Sequence, residues 1–455
     1  MISFTLRRLS LMASFENCPL KFPAEPPAQP LKPVFKENEK PAEPEKYSLW
    51  GSHDPAIYRD PVSGSYYTYC TGAIARRSPD LITWETIGKV VEAPPKESSE
   101  WVGDEGIWAP DIIKVGDEYR LYCSNSTWGV RQSAIFLAVS DSPEGPFIPR
   151  GVVLKTSHES SVNAIDANLV IDEETGQQYM AYGSFWGGMH ILKLDAETGL
   201  AAEEGIGTCI ARRPQWLDGA IEGPYIRFNP DTGYYYLFVS YGSLKSDYNI
   251  RVGRSRSVTG PYLDPNGRDL TDLEDYKNEI GYMIACGFQY GDGQGYMGPG
   301  HNSVLRDSDN QWYLACHIRE HNHKEPQIAT MHIYKMFWTP DGWPALNPEP
   351  YAGEQTQSID REWLVGDYER IKLAPAVPQG VLNSVPMTLR DNGEFECCSV
   401  KGEWTYVDGN TISISYGNVV ETLIVTPAWD WQVGEPTIAF TGKDQFGVAV
   451  WGKKV

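Results

Sequence analysis

Five stretches of the chain repeat one pattern of apolar and polar positions. Each has a polar or small residue, a short apolar run, a turn, and a second run rich in Tyr and Trp. They read HDPAIY (53–58) with YYTYC, WAPDII (108–113) with YRLYC, and IDANLV (165–170) with YMAYG. IEGPYI (221–226) with YYYLFV and GHNSVL (300–305) with WYLAC complete the set. Short aromatic runs separated by DPVSG, VGDE, EETGQ, PDTG and RDSDN are strand and turn signals, and no helical period lies between them. Three units also close alike, with RSPDLITWE, SDSPEGPF and SRSVTGPY. Strand-rich units repeated at a near-constant interval predict a β-propeller, here of five blades. The chain is therefore expected to be all-β, with an insertion near 264–299 where the fourth interval lengthens.

Aligning the apolar pairs places Asp54, Ala109, Asp166, Glu222 and His301 in one column, at separations of 55, 57, 56 and 79 residues. The first strand of a propeller blade lines the central channel, so equivalent positions converge on the axis. Three carboxylates meeting there repel one another and raise one another's pKa, at a cost of order one to several kcal/mol. A purely structural propeller has no use for that cost, although any single acid could equally cap a strand end. Asp111, two residues past the column, is expected deeper in the channel in such a strand-end role.

Beyond about residue 352 the repeat stops. Short alternating runs follow (PMTLR, EFECCSV, GEWTYV, TISISY, VVETLIV, TIAFTG, FGVAVWG), separated by DNG, DGN and GKD. This spacing predicts a small antiparallel β-barrel or sandwich. The expected organisation is an N-terminal extension or linker over 1–46, a propeller over 47–351 and a β-rich accessory domain over 352–455. The extension is rich in Pro, Lys and Glu after a short apolar stretch (LSLMASF) that makes a poor export signal.

Composition narrows the function. The 455 residues carry 60 Asp and Glu against 39 Lys and Arg, a formal charge of −21. Such a surface repels phosphate backbones and anionic lipid, which argues against nucleic-acid and membrane partners. No apolar run reaches the roughly 18 residues of a spanning helix. Eight cysteines show no CxxC pair, and Cys70, Cys123 and Cys316 each end an aromatic strand, a context for buried packing residues. Oligomeric state is not legible.

At the column residues the sequence resembles the glycoside hydrolases of family 43, and within it the arabinanases. The carrying motifs are SHDPAIY, IWAPDI, NAIDAN, SFWGG, AIEGPY and GPGHNSV, in order over roughly residues 47–350. The resemblance implies a five-bladed propeller, hydrolysis with inversion, and an arabinan substrate. It implies Asp54 as general base, Glu222 as general acid and Asp166 as the residue that tunes and positions the acid. It also implies a calcium ion beside His301, with His317 in ACHIRE as a second candidate. Inversion requires a protonated and an ionised carboxyl roughly 6.5–9.5 Å apart on opposite sugar faces. Asp54 and Glu222, on blades one and four across the axis, suit that need, and a charged Asp166 would raise the acid's pKa by repulsion.

Sugar recognition needs flat aromatic faces and polar groups that read hydroxyls. Trp108 and Trp186 are candidate platforms. Asn163 and Ser184 match sugar-bonding positions of the resemblance, and Gly129 in STWGVRQSA would let backbone approach the ligand. For each aromatic, core packing is the competing role. An arabinofuranosidase or β-xylosidase of the same fold, or a non-catalytic glycan-binding propeller, remain alternatives. A polymeric glycan substrate would place the protein outside the cell or in the periplasm.

Overall fold

Each apolar-plus-aromatic unit folds into one antiparallel sheet whose first strand is the apolar run of the column. The structure is a computed structural model that describes Phe15 and residues 18–27, 51–321, 329–375 and 380–455. Blade one runs from Ala56–Arg59 to Glu85–Lys89 and blade two from Ile107–Val115 to Ile148–Thr156. Blade three runs from Asn168–Ile171 to Thr208–Ala211, and blade four from Ile221–Asn229 to Tyr282–Ala285. Blade five runs from Tyr296–Arg306 to Pro344–Leu346. The first strands touch in a ring, one to two, two to three, three to four, four to five and five back to one. The fold is thus the five-bladed propeller that the repeat predicts.

Polar side chains on the inner strands join neighbouring blades. Asp111 accepts from the Leu169 amide (2.7 Å) and the Asn168 side chain (3.0 Å), and Asn168 Oδ1 accepts from the Ile226 amide (2.8 Å). Ser303 closes the ring by donating to the Pro55 carbonyl and accepting from the Ile57 amide. These bonds satisfy backbone groups that no ladder reaches. The extra length of the fourth interval is spent between Asn249–Ser255 and Tyr282–Ala285, and in the segment before blade five.

The C-terminal strands, from Gly366–Leu373 to Ala449–Lys454, close into an eight-stranded barrel. Alternation directs Tyr368, Phe395, Trp404, Leu423 and Phe440 inward. The opposite face of the same strands, with Ile371, Leu373 and Trp451, packs into one core with Ile284, Phe288 and Leu346 of blades four and five. Leu382–Asn383 adds a parallel strand beside Phe288–Gln289, at the edge of the blade-five sheet. The two units therefore share buried apolar surface, which stabilises each large side chain by about 1.5–3 kcal/mol.

Most of the N-terminal extension lies outside the described residues. Phe15, Leu20 and Phe22 pack against the barrel core, and Lys21 exchanges hydrogen bonds with Gln357. This part of the extension is docked, which its polar composition did not suggest. The eight cysteines are free thiols, and Cys70, Cys123 and Cys316 are buried as their strand context predicts.

Candidate active site

The backbone turns sharply where the column reaches the axis. Asp54, Asp166 and His301 take left-handed φ values of 55°, 62° and 44°, and the inner-strand register of blades two, four and five breaks at the same level. Bulges of this kind re-aim a side chain at the expense of a ladder bond. The freed amides find partners on the preceding blade: Asp166 donates to Ser124 Oγ (2.9 Å) and His301 to Ser240 Oγ (2.7 Å). The Asp54 amide lies 3.3 Å from His317 Nδ1, which also faces the Asp54 carboxylate. Every charged member of the column is thereby fixed through a neighbouring blade or a bulge.

Asp54 is buried and surrounded by donors. Oδ2 accepts from Thr71 Oγ1 (2.6 Å) and faces His53 Nδ1 (2.8 Å), while Oδ1 faces His301 Nδ1 (3.1 Å) and His317 Nδ1 (3.3 Å). Burial alone would raise its pKa, but His301, His53 and the bond to His317 outweigh burial and hold it well below the usual carboxylate range. Asp54 is therefore ionised.

Asp166 has the opposite character. Burial, then Glu222, then Asp54 push its pKa well above the usual range, opposed only by the Gly223 amide at 3.3 Å. Glu222 is held by two hydroxyls, Tyr248 on Oε1 and Ser184 on Oε2, both at 2.8 Å. The sequence led us to expect a charged Asp166 raising the acid by repulsion. The structure puts the upward shift on Asp166 itself, because it is buried beside two carboxylates with a single weak donor. Their surroundings thus push the pKa values of Asp54 and Asp166 in opposite directions.

The loops between second and third strands of blades two, three and four wall a cavity of about 480 Å³ beside Glu222. Trp108, Gly129, Asn163, Ser184 and Trp186 all line it. Asn163 Oδ1 is buried there without a protein partner, an acceptor available to a hydroxyl. In the SFWGG turn Phe185 and Trp186 are left-handed, and a Cβ on Gly187 or Gly188 would fall 2.4 or 2.3 Å from a backbone oxygen. That turn can be made only with both glycines. Gly129 is left-handed with open space around it, so its contribution is backbone conformation.

Other residues of the site lacked a repeat to mark them. Tyr248, Thr71 and His53 touch the carboxylates, and Trp128 and Lys245 line the cavity. His317 is buried, its ring stacked between His53 (4.4 Å) and Tyr248 (5.6 Å), and its Nε2 has no partner. Burial, then His53 and Arg319 push its pKa well below the usual value, with Asp54 opposing. Its neutral imidazole therefore offers a nitrogen lone pair.

The Glycosyl hydrolases family 43 profile matches residues 50–344, and that of a C-terminal lipocalin-like domain matches 348–452. The chain belongs to glycosyl hydrolase family 43. The extracellular endo-α-(1→5)-L-arabinanase of Thermotoga petrophila is 32% identical over 89% of this chain and 93% of its own length. The extracellular endo-α-(1→5)-L-arabinanase 2 of Bacillus subtilis is 28% identical over 93% and 94%. A crystal structure of the endo-1,5-α-L-arabinanase from Thermotoga petrophila RKU-1 superposes with a TM-score of 0.81 at 30% identity, covering 90% of this chain and 99% of that one. As a family 43 enzyme the chain is a glycosidase.

Proposed function

We propose that the protein cleaves internal α-1,5-L-arabinofuranosidic bonds of arabinan with inversion of configuration. The observation that carries this reading is the meeting of Asp54, ringed by donors, with Asp166 and Glu222, next to an aromatic cavity that Glu222 itself lines. Internal cleavage is favoured because the relatives matched over both domains are named endo-arabinanases, whereas an exo-acting relative from Cellvibrio japonicus covers 65% of the chain.

Asp54 acts as general base. It takes a proton from the water that attacks the anomeric carbon, and His53, Thr71 and His301 fix its orientation. Glu222 acts as general acid, because it lies in the cavity wall where a leaving oxygen would sit. Asp166 holds a proton beside Glu222 and so adds no charge of its own to the axis. Tyr248 and Ser184 fix both Glu222 oxygens. Glu222 gives its proton to the leaving oxygen, and the carboxylate that results accepts from both hydroxyls. Trp108 and Trp186 supply faces for the sugar and Asn163 reads a hydroxyl.

A calcium ion is part of the proposal, and the fit favours His317 over His301. Both His301 and His317 direct Nδ1 at Asp54, but His317 also leaves a buried Nε2 without a partner. Carboxylate–histidine pairs of this kind orient metal-binding imidazoles. A hard cation held there by one histidine and water would supply positive charge near the axis and restrain the His317 ring.

The named extracellular location of the relatives supports action outside the cell. No helix among the described residues is long and apolar enough to cross a membrane. Incubation with linear, debranched arabinan, with products separated over time, tests the reading. Mixed oligomers appearing early support internal cleavage. A single short product from the start would replace it with chain-end attack, and no product would refute the substrate.

A further inference from the structure

The three loops that wall the cavity occupy equivalent places in blades two, three and four, and the outer two of them touch. Lys245, at the tip of the blade-four loop, sets its ammonium over the Trp128 ring of the blade-two loop, 5.6 Å from the centroid. Both residues line the cavity that contains Glu222, as do Ser184, Phe185 and Trp186 of blade three. Trp128 is 71% exposed, so the contact leaves much of its ring to solvent. Among the described residues no ion pair holds Lys245, and its ammonium rests on the Trp128 ring.

The loop behind Lys245 is firmly built. Asp247 Oδ1 accepts from the Ser243 amide (2.9 Å) and Ser246 Oγ (2.8 Å), and the Tyr248 amide returns to the Ser243 carbonyl. Tyr248, the next residue, bonds to Glu222. A Cβ on Gly298 would lie 3.0 Å from the Leu244 carbonyl, so the loop also rests against blade five. On the other side Arg131 lies over Trp186 at 5.5 Å and donates to the Ser160 and His158 carbonyls, which pins the blade-two loop to blade three. Two anchored loops are thus joined at one exposed, reversible contact.

We propose that Lys245 and Trp128 form a latch over the cavity that limits how many sugar units the site holds on its outer side, and so sets product length. This rests on the reading of the protein as an arabinan hydrolase. A neutral glycan gives the ammonium no charge to pair with, so its function is steric and through the ring: it orients Trp128 and blocks the way out over blade three. A longer chain must lift Lys245 away before it can lie across that edge.

The test compares the wild type with Lys245→Ala, Lys245→Met and Lys245→Arg on linear arabinan and on a short arabino-oligosaccharide, following products by chromatography and checking folding by thermal unfolding. The latch predicts that Ala and Met release longer first products and change the polymer-to-oligomer ratio of kcat/KM by about two- to fivefold, the range of an exposed cation–π contact. Arg should restore the wild-type pattern. An unchanged product ladder in Lys245→Ala while the wild type cleaves arabinan overturns the latch alone. Equal effects of Ala and Arg overturn it too. A wild type that releases nothing from arabinan overturns the substrate reading and the latch with it.

Discussion

The phenol of Tyr248 donates to Glu222 Oε1 at 2.8 Å while its ring stacks on the His317 imidazole at 5.6 Å and 10°. One fully buried side chain thereby connects the carboxylate in the cavity wall to the histidine beside Asp54. It is locked from behind as well, since a Cβ on Gly300 would fall 2.0 Å from the Tyr248 ring.

Tyr248→Phe keeps the ring and removes the donor. A hydrogen bond to a charged group contributes about 1.5–3 kcal/mol, so kcat/KM on arabinan should fall roughly 10- to 150-fold. Thermal unfolding should change little. Activity within twofold of wild type would show that Tyr248 does not position Glu222.

Asp166 gives a pH-dependent stability effect with a definite sign. Its native pKa is raised, so the native state holds a proton that the unfolded chain releases near pH 4. The wild type therefore loses stability as pH rises from the ordinary carboxyl range toward the raised value. Asp166→Asn has no proton to lose. Its Tm should match the wild type near pH 4 and exceed it by a few degrees at pH 8, while hydrolysis falls sharply. A Tm difference that does not vary with pH would contradict the assignment.

The junction of the two domains holds a buried cation between two acids. Lys453 Nζ lies 2.8 Å from Glu349 Oε1 and 2.9 Å from Asp430 Oδ2, above the Tyr290 ring. Burial pushes the Glu349 pKa to about 7, with Asp430 adding to the rise and Lys453 opposing it. Lys453→Met strands two buried carboxyls and should destabilise the protein by about 3–5 kcal/mol at neutral pH. The loss should shrink as pH falls below 7 and Glu349 protonates. Denaturant unfolding across pH checks this, and Glu349→Gln in the same background should recover part of the loss.

For the ion, chelation should lower both activity and Tm, and added calcium should restore them. His317→Ala should abolish the restoration, whereas His301→Ala should leave calcium-dependent stabilisation in place. Indifference to chelator in a preparation shown by elemental analysis to be metal-free would remove calcium from the account.

Much of the site was legible because propeller repeats bring equivalent positions to one axis. Asp54, Asp166, Glu222 and His301 follow from one alignment, and even the strand-bridging place of Asp111 followed from its offset. Residues on second strands and connecting loops were not legible in this way. Tyr248 comes from the end of an unrepeated loop, His317 from a second strand, and Lys245 from a loop tip whose contact with Trp128 joins blades distant in sequence. Electrostatic roles depend on donor counts that spacing does not reveal, which is why the upward shift fell on Asp166. The docking of Phe22 and Leu20 on the barrel likewise depends on a distant surface.

The most direct test follows the anomeric proton signals of the first products by NMR as linear arabinan is hydrolysed. Inversion by Asp54 and Glu222 predicts that the β-anomer of the new reducing end appears first and mutarotates later. The α-anomer appearing first would contradict the water-attack arrangement at the axis.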